Sequence, residues 1–287
     1  MAKDVTFIGF GEAAQSFAGD ASWHGGIRAF DIKSDSPGQA AGKLADYRRF
    51  GVQGEASLAD ALSAASLIVS VVTADQALAV ARDAASMIEP GTLYCDLNSV
   101  APDTKRAAAQ AIAAGGGHYC DVAVMAPVNK GLATPLLVSG PEAVRAETAL
   151  RALGFSNVRT VGAEIGRASA IKMIRSVMVK GMEALTAECV LAADAAGVLD
   201  EVLVSLGAEW EGQANYNLER MLVHGTRRAA EMEQVAETLK SLGLSPDMTA
   251  GTIKRQRELG ALEMANPPSS LGDKLKALRH FAKASSA

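Results

Sequence analysis

Asp4-Val-Thr-Phe-Ile-Gly9-Phe-Gly11 followed by Glu12-Ala13-Ala14 is the stretch that decides the fold. A short β-branched and aromatic run breaks into two glycines one residue apart, and a helical pattern opens at Glu12. This reads as strand, tight turn and helix N-terminus, the element that cradles a dinucleotide pyrophosphate. Gly9 permits the turn, and Gly11 lets the backbone approach the phosphates with no Cβ in the way. The N–H groups at the helix start then face the anion. Gly9, Phe10, Gly11, Glu12 and Ala13 are therefore candidate cofactor contacts. Ala14 stands at the third glycine position, a substitution the pattern tolerates.

The context supports the motif. After Trp23-His24-Gly25-Gly26 comes Ile27-Arg-Ala-Phe30-Asp31, a second strand ending in an acid. An acid about twenty residues beyond the first glycine accepts hydrogen bonds from ribose hydroxyls and repels a 2′-phosphate. Asp31 thus points to NAD. Lys33 and Ser34 lie just beyond it and keep NADP as an alternative.

Composition bounds the rest. The 287 residues leave room for two domains and a large core. The chain is 49% hydrophobic but only 5% aromatic, a mix that suits closely packed helices. A net charge of −4 gives no reason to expect nucleic acid or an anionic membrane as partner. Cys95, Cys120 and Cys189 lie far apart, with neither metal-ligand spacing nor a disulfide framework, so no metal is expected and packing is their expected role. A reduced cytoplasmic location fits. Met1-Ala-Lys-Asp4 runs straight into the first strand, so no signal peptide is expected. Apolar runs such as Leu67-Ile-Val-Ser-Val-Val72 are strand-length, too short to span a bilayer.

The first half keeps alternating. A helix runs to about Phe50, an extended piece lies near Val52, and Ser57 caps the next helix. The Leu67–Val72 run is a strand buried on both faces, and Thr73-Ala-Asp75 is read as the cap of a helix reaching about Ile88. Further strands are read at Thr92–Leu97, His118–Val124, Pro135–Ser139 and Val158–Val161, with a helix from Asp103 to Ala114 ended by Gly115-Gly-Gly117. The pattern predicts a doubly wound, mainly parallel α/β (Rossmann) domain over residues 1–163. From about Ala163 no strand pattern remains. A helix from Ile165 to about Ala196 leads an all-helical domain over residues 164–287. Its further helices are read at Asp200–Gly207, Tyr216–Leu242 and Met248–Leu259, and a last one ends near Lys283, leaving Ser285-Ser-Ala287 frayed.

Ligands in open α/β folds bind at the carboxyl edge of the sheet. Val72 and Thr73 on the cofactor side, Asn98 towards both cofactor and substrate, and Ser99 towards the substrate, lie at such strand ends. On the long helix, Ser169, Lys172, Ser176, Lys180 and Glu183 share one side, while Ile171, Ile174, Met178 and Leu185 form an apolar side. Such a polar side is ordinarily a solvated stripe. Against that, the small residues Gly166, Ala168, Ser169 and Ala170 would let a cofactor domain approach Lys172. Hydride transfer at a hydroxyl needs a proton partner, which a lysine of lowered pKa can be. Arginine suits carboxylate or phosphate recognition, but His224, Arg227 and Arg228 are each read first as part of a solvated helix face. His24 and His118 are read as surface or edge residues.

With these residues the chain resembles the β-hydroxyacid dehydrogenases, the family of 3-hydroxyisobutyrate and 6-phosphogluconate dehydrogenases. Gly9-Phe-Gly11-Glu-Ala-Ala14 is similar to the family's cofactor loop. Asp96-Leu-Asn98-Ser99-Val-Ala-Pro102 is similar to its Asp-x-Ser-Thr-x-x-Pro segment. Gly166-Arg-Ala-Ser169-Ala-Ile-Lys172 resembles its catalytic helix, which implies that Lys172 is the general acid/base. The helical half resembles a branch whose C-terminal domain has no settled function, with Ile171–Ser176 and His224–Arg228 as its most distinctive pieces. On this resemblance Ser176 and His224 are substrate-side candidates.

The departures bear on the substrate. The family's Asp-Ala-Pro-Val-Ser-Gly-Gly, which holds a substrate carboxylate, is matched by Asp121-Val-Ala-Val-Met125-Ala126-Pro127. Methionine has no hydroxyl donor and proline no N–H. The clamp for a short hydroxy acid is absent or rebuilt, and Met125 becomes part of a more apolar pocket. The family's asparagine one turn after the lysine is Ser176. The expected activity is an NAD(P)-dependent alcohol–carbonyl interconversion on a small-molecule substrate larger or more apolar than 3-hydroxyisobutyrate. Imine reduction, or a non-catalytic dinucleotide sensor, are the alternatives. A homodimer through the helical domain is expected, built from Leu185, Val190, Leu191 and Val198 against Met221, Leu222, Val235 and Leu239.

Overall fold

A computed structural model describes residues 5–19 and 26–284. The chain divides into two compact units, Met1–Lys172 and Met173–Ala287.

The first unit carries β1 (Val5–Ile8), α1 (Glu12–Gly19), β2 (Ile27–Phe30), α2 (Ala40–Arg49), β3 (Gln53–Gly54), α3 (Leu58–Leu62), β4 (Leu67–Ser70) and α4 (Ala77–Ala85). It continues through β5 (Leu93–Asp96), α5 (Pro102–Ala114), β6 (His118–Val124), β7 (Leu136–Ser139), α6 (Ala143–Ala152) and β8 (Val158–Gly162). The strands form one sheet in the order β3-β2-β1-β4-β5-β6-β7-β8. Every pairing is parallel except β6 with β7. The order reverses between β1 and β4, so a crevice opens outside their carboxyl ends, where dinucleotides bind in such sheets. This is the doubly wound, mainly parallel architecture expected from the alternating pattern.

Period-2 alternation splits the core between the two sheet faces. Phe7, Ala29, Val69, Cys95 and Val122 pack on one side with Phe17 and Phe155, whose rings meet edge to face at 5.0 Å. Ile8, Ile68, Tyr94 and Tyr119 face the other side, against Ala108 and Ile112 of α5. Cys95 and Cys120 are buried free thiols. Burial pushes both above the usual thiol range, Cys120 up to about 12, as expected of packing cysteines.

The second unit holds Met173–Ala196 of α7 (Arg167–Ala196), then α8 (Leu199–Leu206), α9 (Trp210–Ser241), α10 (Asp247–Gly260) and α11 (Leu271–Ala284). Helices α9 and α10 touch backbone to backbone. A Cβ on Gly225 would lie 2.3 Å from the Gln256 carbonyl oxygen, and one on Gly260 2.2 Å from the Thr226 nitrogen. Among the described residues, no helix is long and apolar enough to cross a membrane.

Some local readings need correction. Ser57 caps α3 as expected, accepting from the Asp60 N–H at 3.1 Å. Thr73 and Asp75 do not cap α4: the cap is Gln76, with no side-chain bond, while the Asp75 carboxylate accepts from the Gln76 side chain at 2.8 Å. Helix α9 begins at Trp210, six residues before the expected Tyr216. Helix α6 and the 3₁₀ turn at Val128–Ala133 fill stretches left unassigned between strands.

Helix α7 does not carry the solvated polar stripe that such a side ordinarily makes. Ser169, Ser176, Lys180 and Glu183 are buried, at 8% exposure or less, whereas Ile174, Met178 and Leu185 are 50%, 66% and 58% exposed. Two of the four interface residues expected on this stretch, Leu185 and Val198, are exposed. Val190, Met221, Leu222 and Val235 instead fill this unit's own core. Those four cannot line a subunit contact.

Candidate active site

The glycine turn has the form the motif requires. Gly9 has φ +86°, and a Cβ there would lie 2.3 Å from the Val71 carbonyl oxygen. Only glycine lets β1 leave the sheet this close to the end of β4. At Gly11 a Cβ would meet nothing within 4 Å, so the turn faces open space on the side where a pyrophosphate would approach. Gly11 and Glu12 are exposed, Ala13 is half-buried and Ala14 is fully buried, holding α1 close to the sheet. These residues fit a dinucleotide.

Phe10 is clamped at both its backbone N–H and its carbonyl. Its N–H donates to Asp31 Oδ2 at 2.8 Å. Its carbonyl accepts from Lys43 Nζ at 2.7 Å and from Gln15 Nε2 at 3.0 Å. The other Asp31 oxygen accepts the Lys33 N–H at 3.0 Å, and Lys43 Nζ lies 3.9 Å from Oδ2. Asp31 therefore orients the turn, and a carboxylate holding two N–H bonds keeps lone pairs free for ribose hydroxyls.

At the neighbouring strand ends, Asn98 is buried and bridges β4 to β5. Its Oδ1 accepts the Val72 N–H at 2.6 Å and its Nδ2 donates to Ser70 Oγ at 3.0 Å. Val72 Cγ1 lies 3.0 Å from the Cβ position of Gly9, and Thr73 beside it is exposed. Lys172, half-buried, donates from Nζ to Ser99 Oγ. The structure thus brings together Gly9, Val72, Asn98, Ser99 and Lys172, five of the residues picked from sequence.

Met125 is half-buried and packs in a small cluster with Ala123, Leu137, Val161, Ala168 and Ile171. Its N–H is taken by the Pro135 carbonyl at 2.9 Å. Neither Met125 nor Pro127 offers a free backbone donor.

The remaining candidates lie in the second unit. Ser176 is buried one turn beyond Lys172 on α7, and His224 is half-buried on α9. Arg227 is exposed and pairs with Glu231 at 2.9 Å, as a solvated helix face predicts. Arg228 does not follow that reading. It is buried and held by Glu183, with Nε donating to Oε2 at 3.2 Å, and Gln256 donates to the same carboxylate at 2.8 Å. Nearby, buried Lys180 pairs with Glu231 at 2.7 Å, and burial lowers its pKa against the pull of that carboxylate. His118 is exposed, and His24 lies outside the described residues, as do Ser285, Ser286 and Ala287.

Sequence reasoning passed over a buried cluster next to this site. Lys105 of α5 is fully buried between Asp96, at 2.9 Å, and Asp121, at 3.5 Å. Tyr119 Oη donates to Asp96 at 2.6 Å, and burial with that carboxylate raises its pKa. One signal was available: Lys105 sits on the apolar stripe of α5 with Pro102, Ala108, Ala109 and Ile112.

Comparison with known proteins agrees with this geometry. Residues 4–162 match the family described as the NAD binding domain of 6-phosphogluconate dehydrogenase, and residues 193–259 match a domain of unknown function, DUF1932. A conserved hypothetical protein from Sinorhizobium meliloti 1021 is 36% identical, covering 98% of this chain and 97% of its own, with a TM-score of 0.77. The conserved protein MTH1747 of unknown function, whose structure is described as similar to 3-hydroxyacid dehydrogenases, is 31% identical over 91% of this chain and 98% of its own, with a TM-score of 0.70. The Mycobacterium tuberculosis 3-hydroxyisobutyrate dehydrogenase, solved with L-serine, shares the fold at 17% identity and a TM-score of 0.73, covering 97% of this chain and 100% of its own. With its glycine turn, its strand-end acid and a family match over more than half its length, this chain belongs to the family described as the NAD binding domain of 6-phosphogluconate dehydrogenase.

Proposed function

We propose that the protein interconverts an alcohol and a carbonyl with NAD(P), and that Lys172 exchanges the proton with the substrate oxygen. The observation that carries this reading is the Lys172–Ser99 hydrogen bond at the carboxyl edge, on the loop whose Asn98 bonds Val72 beside the glycine turn. When bound, the nicotinamide ring supplies or accepts the hydride. Lys172 and Ser99 hold a donor and an acceptor at one point, so a substrate oxygen there can gain or lose a proton without bulk water. Asn98 fixes the loop, Ser176 extends the polar side by one turn, and Met125 lines the substrate side with apolar surface. The test is NADH or NADPH formation against a panel of hydroxy acids and of alkyl and aryl alcohols. Turnover in that panel that disappears in Lys172→Ala supports the reading.

The occupied Met125 N–H favours one second reading, a dinucleotide-binding sensor without turnover. Tight NADH binding with no turnover across the whole panel would establish it. Imine reduction is the less favoured chemistry, because a lysine is retained at position 172.

Small hydroxy acids should be poor substrates. For 3-hydroxyisobutyrate, kcat/KM is expected below about 10⁴ M⁻¹s⁻¹, the low end for an enzyme on its own substrate. A value of about 10⁵ M⁻¹s⁻¹ or more would mean that a carboxylate clamp exists despite Met125 and Pro127.

NAD is expected to bind more tightly than NADP, because Asp31 stands where a 2′-phosphate would meet it. Lys43, close to the carboxylate, keeps the preference modest. Titration of both reduced cofactors by fluorescence measures it, and tighter binding of NADPH would remove the assigned role of Asp31.

We also propose a homodimer joined through the helical half. The exposed apolar side of α7, with Ile174, Met178, Met182 and Leu185, supports it, since so large an uncovered stripe is unusual on a monomer. Sedimentation at micromolar concentration should give twice the monomer mass, and Met178→Glu with Leu185→Glu should return it to one.

A further inference from the structure

The buried cluster behind the site forms a closed circuit. Asp121 Oδ2 accepts the Ser169 N–H at 2.9 Å and Oδ1 accepts the Ser169 hydroxyl at 2.5 Å. Ser139 Oγ takes the Ala168 N–H at 3.0 Å and donates to Asp121 at 3.2 Å. The first turn of α7 is thus capped by side chains from β6 and β7. On the other side, Asp96 Oδ1 accepts the Asn98 N–H at 2.8 Å and fixes the loop that carries Ser99. Lys105 joins the halves. Its ammonium donates to the Asp96 carboxylate and to the Asp96 carbonyl, at 2.9 and 2.7 Å, and lies 3.5 Å from Asp121. The circuit runs Ser99, Asn98, Asp96, Lys105, Asp121, Ser169, Lys172, and closes at the Lys172–Ser99 bond.

Two acids and one lysine at about zero exposure are a costly way to fill a core, since apolar residues of similar volume are often at least as stabilising. What such a cluster provides is fixed geometry. We infer that Lys105 is a positioning residue: through Asp96 and Asp121 it sets the placement of the Asn98–Ser99 loop against the Lys172 turn. Lys105 touches neither end of that pair directly. The inference rests on the proposed function only in treating Lys172 and Ser99 as the place where the substrate oxygen sits.

The experiment uses the full chain without substrate, so it does not depend on knowing one. Lys105→Met combined with Asp121→Asn removes one positive and one negative charge, leaving the cluster's net charge unchanged. Two readouts follow: amide hydrogen exchange by mass spectrometry, and trace acetylation of lysines with acetic anhydride. Exchange at 97–99 and at 168–170 should accelerate together by about tenfold or more, the weight of a charge-assisted hydrogen bond. Acetylation of Lys172 should rise severalfold. A folded variant with both segments protected as in the parent, or with only one loosened, overturns the strut. Should the double variant not fold, Ser169→Ala decides. It must loosen 168–170 and raise Lys172 acetylation while 97–99 stays protected, and Ser169→Thr must restore the parent pattern. Unchanged exchange and acetylation in Ser169→Ala overturn the inference. A Lys172 with no role in turnover would leave all these outcomes as stated, so the two readings fail separately.

Discussion

Lys172→Ala is expected to lower kcat by about 10² to 10⁴-fold, the range for loss of a general acid/base. Cofactor affinity should change little, because the glycine turn is clamped by Asp31, Lys43 and Gln15, and none of these bonds involves Lys172. KM for a confirmed alcohol should change less than kcat, since the lost interaction strengthens as the proton moves. Lys172→Arg, which keeps the charge but cannot release a proton at neutral pH, should recover little. A Lys172→Ala protein with near-parental kcat would reduce Lys172 to a structural partner of Ser99.

The second large effect is on stability. Arg228→Met leaves the buried Glu183 carboxylate with only the Gln256 amide as partner among the bonds described. Removing one member of a buried ion pair costs about 3–5 kcal/mol, because the remaining charge stays out of water. Urea unfolding of the full chain should show the transition of the helical half moving to lower denaturant by that amount. Adding Glu183→Leu should restore most of the loss, since no uncompensated charge is left. A loss below about 1 kcal/mol, the weight of an exposed pair, would mean that water reaches Glu183.

Local chemistry explains what was legible in the sequence. The strand, turn and helix at Val5–Gly19 were readable because glycine geometry is set within a few residues. The alternation of strands and helices was readable because each element fills one period. Pairing across the fold was not. Seventy-three residues separate Lys172 from Ser99, and forty-eight separate Ser169 from Asp121. Periodicity divides α7 into two sides but does not say which faces inward; the small residues before Lys172 were the signal against a solvated polar side, and that side is buried. Arg228 was misjudged for the same reason, because its buried partner lies on another helix. At Thr73–Gln76 the cap falls one residue beyond the expected one, at Gln76, and the Asp75 carboxylate accepts from the Gln76 side chain. Lys105 was hidden in plain view, a charged residue on an apolar stripe whose partners come from two strands.

The division between the units falls at Lys172–Met173, inside an unbroken helix. Anyone cutting the gene to express the cofactor-binding half alone must therefore choose where in that helix to stop. A fragment ended at Gly162, the last residue of the sheet, strips Asp121 and Ser139 of the first-turn groups they bind. Asp121 would then keep only Lys105 and the Ser139 hydroxyl as partners, and the fragment should be less stable than one that retains the first turn of α7. A fragment carried several turns past Lys172 keeps those partners and should behave as an autonomous dinucleotide-binding module. The useful truncation point is set by a carboxylate on β6, not by the end of the family match.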